Sequence, residues 1–228
     1  MRRETQNILL VLLGGALLKL ALTDTYLRYV KESLRPWLIA TGAIMVVLAL
    51  VAIVRDIRRE REHDHDHRSH STWLLLLPVL AVFLISPPAL GADTVTGKGN
   101  TAPKAGAGFE ALPDETVVPL TITDFVMRTA WDDSGSLDDR TVRLTGFVAR
   151  QGTNVYIARL TISCCAADAR PVKALLAGQD FATLPTDQWI EATGRVVPGS
   201  ATQASAFVPT LTVTTITTIP APPEPYED

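Results

Sequence analysis

The chain has 228 residues, 47% of them hydrophobic and 20% charged, with a formal net charge of −3 at pH 7. That length allows one or two domains. Residues 1–92 carry a balance of +3 and residues 93–228 a balance of −6, from 10 basic and 16 acidic side chains, so the second part is a poor polyanion binder, which needs clustered Lys and Arg, and no nucleic-acid partner is expected.

Three apolar runs crowd the first part: 8–22, 37–54 and 73–90. Each is about 15 to 18 residues long, near the lower limit for crossing a hydrocarbon core of roughly 30 Å. The first contains Lys19, which can snorkel from near a helix end. The second has no charge, and Pro36 suits a first helical turn. The third contains Pro78, is followed by Pro87-Pro88, and runs into Ala89-Leu-Gly-Ala92. It reads as an anchor, with a cleaved internal signal as the alternative. Residues 1–92 therefore read as a membrane module with three transmembrane helices in the lipid bilayer.

Arginine placement gives the orientation. Arg2 and Arg3 precede the first run; Arg55, Arg58, Arg59, Arg61 and Arg68 separate the second from the third; the intervening loop holds Arg28, Lys31 and Arg35. A cytoplasmic amino terminus in a multi-pass bacterial cell-membrane protein fits best. Everything after the third span is then extracytoplasmic, where disulfides are permitted.

Residues 93–115 are rich in Gly, Ala, Thr, Lys and Pro and read as a flexible linker. The outer domain is expected over 116–219. Val117–Ile122 reads as a short strand, and Thr123-Asp124 can cap a helix over Phe125–Trp131. Five strands follow: Thr141–Val148, Asn154–Cys165, Val172–Leu176, Trp189–Val197 and Pro209–Ile219. Gly146 and Gly194 read as bends in the first and fourth. The fold class expected is N-terminal transmembrane α-helices plus a mostly-β domain, a five-stranded OB-like barrel. Residues 220–228 form an extended Pro-rich tail.

Two constellations carry chemistry. All four histidines lie in the loop 55–72, as His63-Asp-His65-Asp-His67 and His70. Imidazole suits Zn, Cu and Ni, and a polar tract can wrap an ion without a preformed site; a solvated loop is the plain alternative. The two cysteines are adjacent, Cys164 and Cys165, followed by Asp168. As a metal site they offer three ligands, short of the four of closed zinc sites. Neighbouring strand residues point to opposite faces, so both thiols reach one ion only if the strand breaks, which Ala166-Ala167-Asp168 can supply. A reducible vicinal disulfide and a purely structural turn stay open beside the metal or metalloid contact. The outer domain has no histidine and hence no Ser/His/Asp set. The acidic run Asp132, Asp133, Asp138 and Asp139 reads as a solvated turn.

The segment Ile162-Ser-Cys-Cys-Ala-Ala-Asp-Ala169, with Asp187-Gln-Trp-Ile-Glu-Ala-Thr-Gly194 and Pro222-Pro-Glu-Pro-Tyr226, resembles the YcgQ-like family of uncharacterised bacterial membrane proteins, often described as permease subunits. The resemblance covers nearly the whole chain. It implies partnership with a separate multi-span permease of a type linked to metal or metalloid export, and it carries no catalytic residues. The expected function is a non-enzymatic accessory subunit, with metal transport or sensing through a transition metal such as zinc. The alternatives are an extracytoplasmic thiol-disulfide protein and an envelope adaptor binding protein or glycan.

Overall fold

The computed structural model describes residues 3–59, 80–81, 84–85, 88–95, 99–100 and 108–227. The chain divides into two compact units, Met1–Ala89 and Leu90–Asp228.

In the first unit α1 (Arg3–Leu22) and α2 (Arg35–Arg59) form a helical hairpin. Asn7 Nδ2 donates to Asp56 Oδ2 (3.1 Å), tying the start of one helix to the end of the other. At mid-length a Cβ on Gly14 would lie 2.9 Å from both the Gly42 carbonyl and Val46 Cγ2, and one on Gly42 would lie 2.9 Å from Leu18 Cγ. The backbones therefore approach as only small residues allow. Among the described residues one helix, Glu32–Asp56, is long and apolar enough to cross a membrane; Gln6–Leu22 is a shorter apolar helix. Of the third expected span, 73–90, most lies outside the described residues, with helix at 80–81 and 84–85. The outward face of α2 carries Trp37, Ile44, Val47, Leu48, Leu50 and Val51, all exposed.

The second unit is a mostly-β domain. Its strands are β1 (Val117–Leu120), β2 (Thr141–Gln151), β3 (Asn154–Thr161), β4 (Arg170–Ala177), β5 (Trp189–Val196), β6 (Thr210–Thr218) and β7 (Tyr226–Glu227), with α3 (Ile122–Trp131) after β1. They form one sheet in the order β1-β2-β5-β6-β4-β3-β7, and a further ladder joins β2 to β3. β2 changes partners along its length. Residues 142–147 pair antiparallel with β5, and 147–151 pair antiparallel with β3. Gly146 sits at that handover, where a Cβ would collide with the Ala158 carbonyl and with the Ile122 and Ile157 side chains. Gly194 marks the register shift between β5 and β6, and a Cβ there would run into Thr212 O. The irregularity expected at Gly194 is present, whereas β2 runs through Gly146 without a register shift.

The expected five-stranded OB-like barrel is corrected to a seven-stranded sheet. The five strands read from the sequence are the ones joined in the cycle of ladders β2–β5–β6–β4–β3–β2. β1 adds parallel to β2 and β7 adds parallel to β3. The core packs Phe125, Val126 and Ile122 of α3 against Leu144, Val148, Ile157, Ala174, Ile190 and Leu211.

β7 belongs to the tail that composition marks as merely extended, and one side chain explains why it docks. Glu227 is 7% exposed. Its Oε1 accepts from Ile122 N (2.8 Å), and its Oε2 from Thr123 N (2.9 Å) and Thr123 Oγ1 (2.7 Å). A carboxylate is thus placed on the unpaired amides of the first turn of α3, where the helix dipole favours it. Thr121 Oγ1 accepts from Asp124 N as the local cap, so the helix begins earlier than the expected Phe125. Arg159, 9% exposed, holds the tail from β3: Nη2 donates to Glu224 O (3.0 Å) and Tyr226 O (3.1 Å), and Nε lies 4.0 Å from Glu227 Oε1. Its guanidinium also lies over Trp189, 4.9 Å from the ring centroid.

At Ala92 and within the expected linker 93–115, several described residues are tied to the β-domain. Ala92 N donates to Asp187 Oδ1 (2.6 Å), and Ala92 and Val95 are buried beside Phe147 and Leu160. Asn100 imitates a strand residue: its Nδ2 donates to Lys173 O (2.8 Å) and its Oδ1 accepts from Lys173 N (2.9 Å). These pairings cannot be seen locally, because the partner lies about seventy residues away.

Replacing Glu227 with Ala leaves the amides of Ile122 and Thr123 without their acceptor and takes the carboxylate from beside the buried Arg159 guanidinium, a cost of about 3 kcal/mol. Hydrogen exchange on the full chain in detergent should then accelerate by roughly 100-fold at the first turn of α3. Unchanged protection there would show that the tail contact is incidental.

Candidate functional site

The candidate cysteines lie where β3 gives way to a turn. Alternation along β3 sends Val155 and Ile157 into one buried cluster and Ala158 and Leu160 into a second, and the strand stops at Thr161, short of the expected Cys165. The cause is Asp168. Its Oδ1 accepts from Ser163 N (2.7 Å), and its Oδ2 from Cys164 N (2.9 Å) and Cys165 N (3.3 Å). One carboxylate thus collects three consecutive amides that would otherwise need strand partners. The chain folds over it through the short 3-10 helix Ala166–Asp168. Asp168 N donates back to Cys165 O (3.0 Å), and the Cys165 sulfur accepts from the same amide.

The turn removes the sequence-level objection to the pair. Outside a strand the two side chains no longer diverge, and Cys164 Sγ lies 3.6 Å from Cys165 Sγ. Cys164 Sγ donates to Asp168 Oδ2 at 3.0 Å. Both thiols are free; Cys164 is exposed and Cys165 half-buried. The two sulfurs and a carboxylate oxygen all lie within 4.8 Å of one another, and among the described residues they are the one such group of His, Cys, Asp and Glu. The other candidate ligands, His63, His65, His67 and His70, lie outside the described residues.

The electrostatics of the turn follow from the same contacts. Donating to Asp168 and to its neighbouring sulfur, the Cys164 thiol is pushed up to about 12. Asp168 is held well below the usual carboxylate range, first by that thiol and then by the amides of Ser163 and Cys164. At neutral pH the group is therefore a thiol hydrogen-bonded to a carboxylate, not a thiolate. Since the thiolate is the nucleophile and the metal ligand, Cys164 is a slow nucleophile at rest, and an ion that binds it must displace its proton.

Other polar features of the domain find most of their partners within it, although Arg128 Nε and Arg159 Nε are buried without a hydrogen-bond acceptor. In the acidic turn after α3, Asp132 accepts from Ser134 N (2.9 Å), Ser134 Oγ (2.6 Å) and Ser136 Oγ, with Arg128 Nη1 at 3.9 Å. Burial alone would raise its pKa, but these partners bring it below the usual value. A cleft of about 350 Å³ opens between β1 and the tail, and its charges oppose one another: Arg143 and Arg159 against Glu191 and Glu227. Burial lowers the pKa of Arg159, with Glu227 and Glu224 opposing the shift. Lys173, 3% exposed, donates to Val95 O (3.4 Å) and lies over the Tyr156 ring. Sequence reasoning passed over Arg159, Lys173 and Glu227. The available signal was two cations inside otherwise apolar strands, which need a partner wherever they are buried.

The raised pKa of Cys164 predicts how it alkylates. Because the folded value lies above the ordinary thiol value of about 8.5, iodoacetamide should modify Cys164 slowly at pH 8, with a rate that keeps rising through pH 10. Asp168→Asn removes the charge that disfavours the thiolate, so alkylation at pH 8 should quicken by about tenfold or more, one pK unit being tenfold in thiolate. Equal rates in the two proteins would contradict the hydrogen bond.

Family comparison places this geometry. Residues 5–101 match the DUF1980 N-terminal domain and residues 115–227 match the DUF1980 C-terminal domain. No curated protein and no solved structure matches the chain. The two matches cover most of the sequence, helical unit and β-domain alike, and the chain belongs to the DUF1980 family.

Proposed function

We propose that the chain is a membrane-anchored, non-enzymatic accessory subunit of a multi-span bacterial permease, acting in the transport or sensing of a transition metal or metalloid. The observation that carries this reading is the pairing, in one chain, of an apolar helix long enough to span a membrane with a β-domain that brings two thiols and a carboxylate together. Large apolar side chains exposed along α2 are what a lipid or partner-helix contact requires. In this reading the protein is multi-pass, its amino terminus is cytoplasmic, and the β-domain lies outside, as the arginine distribution suggests. The histidine tract would meet metal on the inner side and the cysteine turn on the outer side.

A thiol-disulfide function is the second reading, favoured by sulfurs only 3.6 Å apart. Against it stands the Asp168 contact, which keeps Cys164 protonated, whereas redox cysteines work as thiolates.

Tagged full-length protein solubilised in mild detergent should bring a permease with it, and deletion should change cellular metal content or metal tolerance. Protein that emerges alone, from cells whose metal content is unaffected by deletion, would end the accessory-subunit reading.

A further inference from the structure

We propose that Cys164, Cys165 and Asp168 form an open, exchangeable site for a thiophilic divalent cation, with zinc the best fit. The proposal deepens the accessory-subunit reading by naming what the β-domain takes, and it rests on that reading only for its place in transport.

Geometry selects the class of ion. With metal–sulfur bonds of about 2.3 Å, sulfurs 3.6 Å apart subtend an angle of about 100° at the ion, close to tetrahedral. A linear two-coordinate ion would hold them roughly 4.6 Å apart on the same bond length. The third donor is already aimed: the Cys164 proton lies between Sγ and Asp168 Oδ2, 3.0 Å apart, and a cation replaces that proton. Binding exchanges two S–H protons, released to solvent, for two metal–sulfur bonds, with no change of oxidation state.

The turn is built before the ion arrives. Three amides fix the Asp168 carboxylate, so the oxygen that would bind the ion is oriented in advance by its hydrogen bonds. Those amides also disperse the negative charge of two thiolates and a carboxylate around one divalent ion. The fourth position stays open because the exposed side of Cys164 faces solvent, and an open position is what distinguishes working zinc sites from closed structural ones. Water fills it at rest, and a ligand from a partner could displace the water and take the ion.

Cobalt(II) titration of the reduced full chain in detergent, without oxygen, tests the site independently of the histidine tract, because only thiolate ligands give sulfur-to-cobalt charge-transfer absorption. One equivalent should produce the band and zinc should abolish it. The Cys164→Ser, Cys165→Ser double variant should show none while its far-UV circular dichroism is unchanged. Cys164→Ser alone, at an exposed position, should weaken zinc binding by at least the ~10–100-fold seen when outer-shell partners are lost. No band in the reduced chain, or a band that survives in the double variant, overturns the proposal. A band in protein that carries no permease, from cells whose metal content is unaffected by deletion, would leave this site standing and remove the accessory reading; a permease without a band would do the reverse.

Discussion

The candidate site depends on one carboxylate. Asp168 takes the amides of Ser163, Cys164 and Cys165, and by doing so ends β3 and turns the chain. Had the strand continued, its side chains would alternate between faces and the thiols would diverge. The carboxylate therefore does two jobs with the same atoms: it supplies the hydrogen-bond acceptors that make the turn affordable in a folded protein, and it offers the charge that would help hold a cation. Its contact with the Cys164 thiol keeps that sulfur protonated until something replaces the proton.

The same device recurs close by, where β7 pairs with Leu160 and Thr161 at the end of β3. Glu227 lays its carboxylate on the amides of Ile122 and Thr123 and lies beside the Arg159 guanidinium. Arg159 in turn holds the tail backbone and stacks on Trp189. A two-residue strand could not persist on two residue pairs alone. It persists because the carboxylate it carries satisfies donors that the helix start leaves open. At both places an acidic side chain accepts from backbone amides that would otherwise lack partners.

Alternation made β2 to β6 legible, and glycine chemistry pointed to Gly146 and Gly194, where neighbouring backbone leaves no room for a Cβ and the second sits at a register shift. The two extra strands were less visible for different reasons. β1 was read as a strand, but nothing local says that it joins the same sheet beside β2. β7 has only two residues inside a proline-rich stretch, and its anchor lies about a hundred residues away at Ile122 and Thr123. α3 starts at Ile122 because the local residue Thr121 caps it, with Glu227 supplying further acceptors from a distance. Asn100 was hidden in a Gly- and Ala-rich segment because its partner is the backbone of Lys173. The cysteine pair and Asp168 were visible as residue types; their convergence was conditional on a break, and hydrogen bonds to Asp168 supply it.

The most direct test of a sulfur-and-oxygen site organised by Asp168 is zinc X-ray absorption on the full chain loaded with one equivalent of metal. Two sulfur neighbours at about 2.3 Å and one or two oxygens at about 2.0–2.2 Å are predicted. A first shell of nitrogen and oxygen alone, with no sulfur, would place the metal elsewhere and contradict the account.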